Sequence, residues 1–343
     1  MNSESANAIY SEFLSWLAER NEIAWSSILP PKSADCMPFP EDLSPILSEA
    51  LHRRGIDSLY THQRKSYDLV RSEHDVVIVT PTASGKTLCY NLPILQTLLE
   101  MPKARALYLF PTKALAQDQQ SGLNEVMLAG SIGFPVNTYD GDTPSDIRSR
   151  ARTDGRIIIS NPDMLHAGIL PNHTKWVKFF SNLKFIVMDE LHAYRGVFGS
   201  HVASVIRRLL RIAKFYGSSP TFIFSSATIG NPQELAEHYL ERKVEMIEDN
   251  GAGSGEKILV CINPPIVDEV QGLRRSNALE AESAMLWLLQ KGVRTILFSR
   301  SRLQVELLAH YLNQKLENPF NRNYGIVVKP YRSGLLPSER REI

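Results

Sequence analysis

Cysteine is scarce in this chain: Cys36, Cys89 and Cys261 are the only three in 343 residues. Odd in number and far apart, they can build neither a disulfide framework nor a metal knuckle, and a reducing cytoplasm suits them best. Long apolar runs are also missing. None approaches the ~18 residues of a membrane span, and the opening MNSESANAIYSEF has no basic segment with an apolar core behind it. The protein is therefore expected to be neither embedded in a membrane nor secreted. Charge of one sign does not dominate, with 38 Lys plus Arg against 37 Asp plus Glu and a net charge of +1. Without a globally basic coat, any nucleic-acid surface has to be local. Low-complexity tracts and short-period repeats are absent, and disorder, collagen and coiled coil are excluded.

What is present is ordinary globular composition, 43% hydrophobic with 19 glycines, at a length that suits roughly two domains. Charge is uneven along it: four basic against eight acidic residues in 1–54, thirteen against nine in 255–343. Residues 1–54 read as a leading amphipathic helix (Ile9, Phe13, Leu14, Trp16, Leu17) and the connector LPPKSADCMPFPEDLSP, too rich in proline to continue a helix. Trp16 and Trp25 are expected to pack this segment on the first domain. Over 55–255 the apolar runs DVVIVT, ALYLFP, RIIISN, KFIVMDE and TFIFSSAT alternate with helical patterns, the signature of an α/β fold with a parallel sheet wrapped by helices. The glycine-rich DNGAGSGE, residues 249–256, reads as a domain boundary. Beyond it, over 256–343, ILVCIN, TILFSR and GIVVKPYR are strand candidates separated by helices in NALEAESAMLWLLQK and LQVELLAHYLNQK. With three strand candidates and only ERREI after the helix-start signal Pro337-Ser338, this second domain is expected to be incomplete.

The strand DVVIVT runs straight into TPTASGKT, residues 80–87, which opens an apolar helix and reads as a P-loop. Backbone N–H groups of Thr82, Ala83, Ser84 and Gly85 would hold phosphate oxygens, Lys86 would reach the β and γ phosphates, and the Thr87 hydroxyl would ligate Mg²⁺. Thr80 and Ala83 stand where glycine is usual, so the loop alone could be an ordinary strand-turn-helix. A second strand supplies the partner such a site requires: KFIVMDELH places Asp189 and Glu190 at a strand's carboxyl end, where ligands bind in open α/β sheets. Asp189 would hold Mg²⁺ through its water shell and Glu190 would polarise the attacking water as general base. Elsewhere, an acidic pair after a strand is often a helix cap.

TPTASGKT, DELH and SSAT, in this order and spacing, resemble motifs I, II and III of superfamily two helicases of the DEAD/DEAH-box type. FPTKALAQDQ at 110–119 resembles motif Ia, SNPDMLH at 160–166 the motif Ib region, and TILFSRSR motif IV, while YDGDTP lies at 139–144. LYTHQ, TPTASGKTLCYNLPIL, DELHAYRGVFGSHVA and YRSGLLPSERR are similar to the MrfA-type DNA repair helicases. The resemblance implies tandem RecA-like domains with ATP and Mg²⁺ at their cleft, and a motor that unwinds DNA 3′ to 5′. By the same resemblance Gln63 reads the adenine edge. Thr112, Lys113, Asn161 and Arg300 contact single-stranded or partly duplex DNA, and His192, Ser226 and Thr228 couple hydrolysis to the cleft. The family's motifs V and VI fall beyond residue 343, as does a cysteine-bearing C-terminal domain. The arginine lost with them is worth ~10³–10⁵ in related NTPases, so the chain is expected to bind ATP better than it hydrolyses it. Two rivals stay open: an RNA helicase, because these motifs do not read the 2′-hydroxyl, and a non-catalytic ATP- and nucleic-acid-binding fragment.

Overall fold

The computed structural model describes residues 3–20, 22–227, 229–317, 325–332 and 335. Thr228, the helix start at Pro337 and Ser338, and most of YRSGLLPSERR lie outside the described residues. The chain forms two compact units, residues 31–255 and residues 1–30 together with 256–343.

The larger unit is built on a sheet whose strands are β2 (Val76–Val79), β3 (Arg105–Leu109), β4 (Val136–Thr138), β5 (Ile157–Ser160), β6 (Leu183–Met188), β7 (Thr221–Ser226) and β8 (Glu245–Ile247). They lie in the order β8-β2-β7-β6-β3-β5-β4, every neighbouring pair parallel. The five apolar runs read from the sequence are the five inner strands, and the two edges are three-residue strands that had no such run. Because side chains alternate along a strand, each strand feeds two cores. Val76, Ile78, Ala106, Tyr108, Ile157, Ile159, Phe185, Val187 and Ile223 pack on one face. Helices α2 (Pro45–Arg53), α4 (Lys86–Glu100) and α5 (Lys113–Ala129) contribute Leu47, Leu95 and Leu123 to the same cluster. Val77, Leu107, Leu109, Ile158, Ile186, Met188, Phe222 and Phe224 pack on the other, where α7 (Gly196–Phe215) and α8 (Pro232–Leu240) bring Val202, Ile206, Leu209 and Tyr239. Burial on both faces is why these strands carry continuous apolar sequence. Arg207, Arg211 and Lys214 point to solvent on the outer side of α7, the solvated face that their spacing predicts.

The smaller unit departs from the sequence reading. ILVCIN does form a strand, β9 (Lys257–Ile262), but it pairs antiparallel with β1 (Ile23–Leu29), from Ile23↔Ile262 to Leu29↔Lys257. Residues 1–54 are therefore divided: the first 30 belong with β9, the rest with the larger unit. Trp16 packs within its own unit. It stacks on Phe13 at 5.7 Å and lies 6.1 Å from Trp287 of α9 (Asn277–Gln290), with the Arg20 guanidinium 4.7 Å above its ring. Trp25, on the two-stranded ribbon of β1 and β9, stays half exposed. TILFSR and GIVVKPYR take no regular structure, because a strand needs a ladder partner and no strand among the described residues pairs with them. Leu297, Ile326 and Val328 still pack on Met285 and Leu289 of α9 and on Leu312 and Leu316 of α10 (Arg302–Leu316).

Candidate nucleotide site and nucleic-acid face

The β2 ladder stops at Thr80-Pro81, where proline has no N–H to give, and the loop turns through left-handed backbone at Ala83 (φ +64) and Gly85 (φ +78) into α4. Gly85 is needed twice over: a Cβ there would lie 2.6 Å from Gln63 Nε2. No side chain caps the start of α4, which leaves its first N–H groups to face an anion. Inside the turn the Thr80 and Ser84 hydroxyls bond at 2.6 Å, both side chains buried. Lys86 Nζ donates to the carbonyls of Thr80 (2.7 Å) and Pro81 (3.0 Å). Burial holds its pKa below the ordinary lysine value, against the pull of Glu190 and Asp189 nearby. Thr82 and Ala83 are exposed along the loop.

Asp189 and Glu190 follow β6, the central strand. Asp189 is almost fully buried, and burial raises its pKa, opposed by a hydrogen bond from Ser225 and by the positive charge of Lys86. Its Oδ1 accepts the Ser225 hydroxyl and the Glu190 N–H (2.9 Å). Glu190 sits in left-handed backbone (φ +55), a conformation rare for a residue with a side chain and common at functional turns. Its Oε2 is 3.1 Å from His192 Nδ1, and the same nitrogen is 3.3 Å from the Ala227 N–H that ends β7. One ring nitrogen cannot donate to Glu190 and accept from Ala227 at once, so His192 stands between motif II and motif III. Of the other coupling residues expected, Ser226 is buried and its hydroxyl has no partner among the described residues. Strand parity is the reason: Ser225 and Ser226 point to opposite faces of β7, and it is Ser225 that turns toward Asp189.

Gln63, at the N-terminal end of α3 (Thr61–Arg71), accepts from the Tyr60 N–H at 3.0 Å and donates to the Gly85 carbonyl at 3.0 Å. One amide hydrogen and one lone pair remain for a base edge. Beside it opens a cavity of ≈ 780 Å³ lined by Cys36, Tyr60, Gln63, Thr87, Asn91 and Gln119 among others. The sequence reading missed His62. This buried imidazole donates from Nε2 to the Ser84 carbonyl (3.0 Å) and accepts at Nδ1 from the Gly251 N–H (3.2 Å). DNGAGSGE, read as a domain boundary, is therefore held against the P-loop side, further fixed by Asp35 N–H to Gly251 O (2.8 Å) and the Lys32–Ser254 bridge. Gln119 was also missed. Its Oε1 accepts from both Thr87 Oγ1 and Tyr90 OH, each at 3.0 Å. His62 lies in LYTHQ and Gln119 in FPTKALAQDQ, but what their side chains hold could not be read there, because the contacts close loops of 22 to 189 residues. Cys89 is buried, and burial pushes its thiol well above the usual value, as packing predicts.

The expected nucleic-acid residues of this unit all lie at carboxyl ends of strands. Thr112, after β3, is exposed and its hydroxyl accepts the Leu115 N–H (3.3 Å) to cap α5. Lys113 Nζ meets Asp142 Oδ2 at 2.5 Å in the turn after β4, which Arg148 holds by donating to the carbonyls of Asp140, Gly141 and Thr143. Asn161, after β5, accepts the Met164 N–H at 2.8 Å. Arg300 is exposed and belongs to the other unit.

Residues 60–235 match the family model described as DEAD/DEAH box helicase. An uncharacterized ATP-dependent helicase of Bacillus subtilis, YprA, is 51% identical over 94% of this chain and 43% of its own. The ATP-dependent helicase hrq1 of Schizosaccharomyces pombe is 39% identical over 88% of this chain and 29% of its own. Among solved structures, the helicase MrfA bound to DNA and AMPPNP superposes with a TM-score of 0.91 at 49% identity, covering 97% of this chain and 46% of that one. The chain thus spans less than half the length of these relatives.

Proposed function

The chain belongs to the DEAD/DEAH box helicase family, and from that premise we propose that it is an ATP-driven DNA helicase or translocase serving DNA repair and moving 3′ to 5′. The observation that carries the reading is convergence: Lys86 from the loop after β2 lies close enough to feel the charges of Asp189 and Glu190 after β6. Glu190 in turn reaches the end of β7 through His192. ATP phosphates fit the N–H groups of the loop and the Lys86 ammonium, and the base fits the cavity beside Gln63. Thr87 and Asp189 would hold Mg²⁺. The donor set suits it, since Asp189 Oδ2 receives no firm hydrogen bond and Mg²⁺ takes one or two protein oxygens while keeping waters. When bound, the ion neutralises charge on the β and γ phosphates. Glu190 takes the proton of the attacking water. His192 then exchanges Glu190 for the Ala227 N–H and passes the event toward the strand-end face that carries Thr112, Lys113 and Asn161.

Among the described residues no helix is long and apolar enough to cross a membrane, and all three cysteines are free. We place the protein in the cytoplasm. DNA is favoured over RNA because MrfA was solved with DNA in place. Anisotropy of labelled single strands tests this, with DNA and RNA of one sequence compared in the presence of AMPPNP. The expected result is tighter binding of DNA. Equal or tighter RNA binding would move the substrate class to RNA, and no binding of either would remove the nucleic-acid reading. For direction, a duplex with a 3′ tail should be unwound and one with a 5′ tail should not.

A further inference from the structure

Gln119 lies on α5, in the segment resembling motif Ia, yet its side chain reaches the P-loop helix. A carbonyl oxygen has two lone pairs, and Gln119 Oε1 spends both, one on Thr87 Oγ1 and one on Tyr90 OH, each at 3.0 Å. The amide is oriented by Asp118 Oδ2, which accepts from Nε2 at 3.4 Å. A hydroxyl has a single proton. With those protons on Gln119, Thr87 Oγ1 and the Tyr90 oxygen turn only lone pairs to the rest of the site. Tyr90 OH also lies 3.5 Å from Asp189 Oδ2, but a proton given to Gln119 cannot be given to Asp189. The other oxygen, Oδ1, is filled by Ser225 and the Glu190 N–H. Asp189 Oδ2 is thereby kept as a bare acceptor deep in the site, and Thr87 Oγ1 is kept as a second one.

We propose that Gln119 is a positioning residue for the divalent cation: by drawing the protons of Thr87 and Tyr90 to itself, it holds Thr87 Oγ1 and Asp189 Oδ2 as acceptors for Mg²⁺. The proposal rests on the nucleotide-site reading above. Without the Gln119 carbonyl, Tyr90 donates to Asp189 Oδ2 and the cation has to displace that bond. Outer partners of metal ligands commonly contribute about 10–100-fold to metal affinity, which sets the scale of the effect.

The test uses the 343-residue chain and the fluorescent nucleotide mant-ATP, reading nucleotide affinity in EDTA and then the Mg²⁺ midpoint at fixed nucleotide. Gln119→Leu should raise the Mg²⁺ midpoint about tenfold or more, beyond whatever change its place in the cavity wall makes to affinity in EDTA. Gln119→Glu still accepts both hydroxyls and should stay near wild type. Adding Tyr90→Phe to Gln119→Leu removes the competing proton and should recover part of the loss. Should the leucine variant fail to fold, Gln119→Asn, one methylene too short to reach, takes its place. A Mg²⁺ midpoint within about twofold of wild type in the folded variant overturns the proposal, given the expected scale. So does an equal loss in Gln119→Leu and Gln119→Glu, which would make the amide a packing group. Failure of the underlying reading looks different, because it appears in the wild type: mant-ATP binding that is absent, or indifferent to both Mg²⁺ and Lys86→Ala, overturns the nucleotide site and this proposal with it.

Discussion

His62 should be the most sensitive stability position near the P-loop, and the chemistry of the substitution should matter more than its size. The imidazole satisfies two buried backbone groups 167 residues apart, the Ser84 carbonyl and the Gly251 N–H. Leucine fills a similar volume with nothing polar, so both groups would be orphaned at about 1–3 kcal/mol each, and His62→Leu should cost about 2–6 kcal/mol. At a urea m-value near 3 kcal/mol/M that lowers the unfolding midpoint by about 0.7–2 M. His62→Ala should cost less, because the space it opens admits a water that can bond both groups. A pH dependence goes with this. Burial holds His62 below its ordinary pKa of 6.5, with Lys86 and Lys32 adding to the effect. The native state therefore refuses a proton that the unfolded chain takes up. The stability His62 contributes is full above pH 6.5 and is lost as pH falls from there through the depressed native value. Urea melts of wild type and the two variants between pH 5 and 8 should show a gap to His62→Leu that narrows below pH 6.5. A leucine variant more stable than the alanine one, or a gap that ignores pH, would show that the ring merely packs.

Glu190→Gln should keep ATP binding while turnover falls by about 10²–10⁴, the usual worth of a general base; normal turnover would take Glu190 out of the mechanism. Lys113→Ala should weaken single-strand binding for all sequences alike and make the salt dependence of log K shallower by about 0.7, and an unchanged slope would mean that its ammonium stays on Asp142. For Gly251→Ala, the new Cβ would lie 2.2 Å from Thr61 Oγ1 and 2.7 Å from Asp35 O, whereas at Gly255 nothing lies within 4 Å. Thermal melts should therefore show Gly251→Ala destabilised by about 1–3 kcal/mol and Gly255→Ala unchanged, and equal melts would mean that 249–255 is not packed as described.

The inner strands were legible because burial on both faces leaves no room for polar residues, and runs such as VVIV and FIVM say so directly. The edges Val136–Thr138 and Glu245–Ile247 were not, since three residues are too few to carry a period. The P-loop and DELH could be read because each motif is contiguous and each ends a strand. Choosing between Ser225 and Ser226 needed the parity of β7 relative to Asp189, which the letters SSAT do not contain. His62, Gln119 and the packing of 249–255 depend on contacts closed by the fold, so their residue types looked neutral in place. Two strand candidates of the smaller unit differ for the converse reason: TILFS and GIVVK are good strand sequences, but a strand exists only where a partner offers its N–H and C=O groups, and β9 found its partner in β1.

The central claim is a nucleotide site coupled to a nucleic-acid track, and ATP turnover by this chain with and without single-stranded DNA, with Lys86→Ala as blank, tests it most directly. Because the chain is expected to bind ATP better than it hydrolyses it, the account predicts turnover that is low but above the blank, rises when DNA is added and disappears in Glu190→Gln. Turnover that equals the Lys86→Ala blank under both conditions, in a chain that still binds nucleotide, would contradict the coupling.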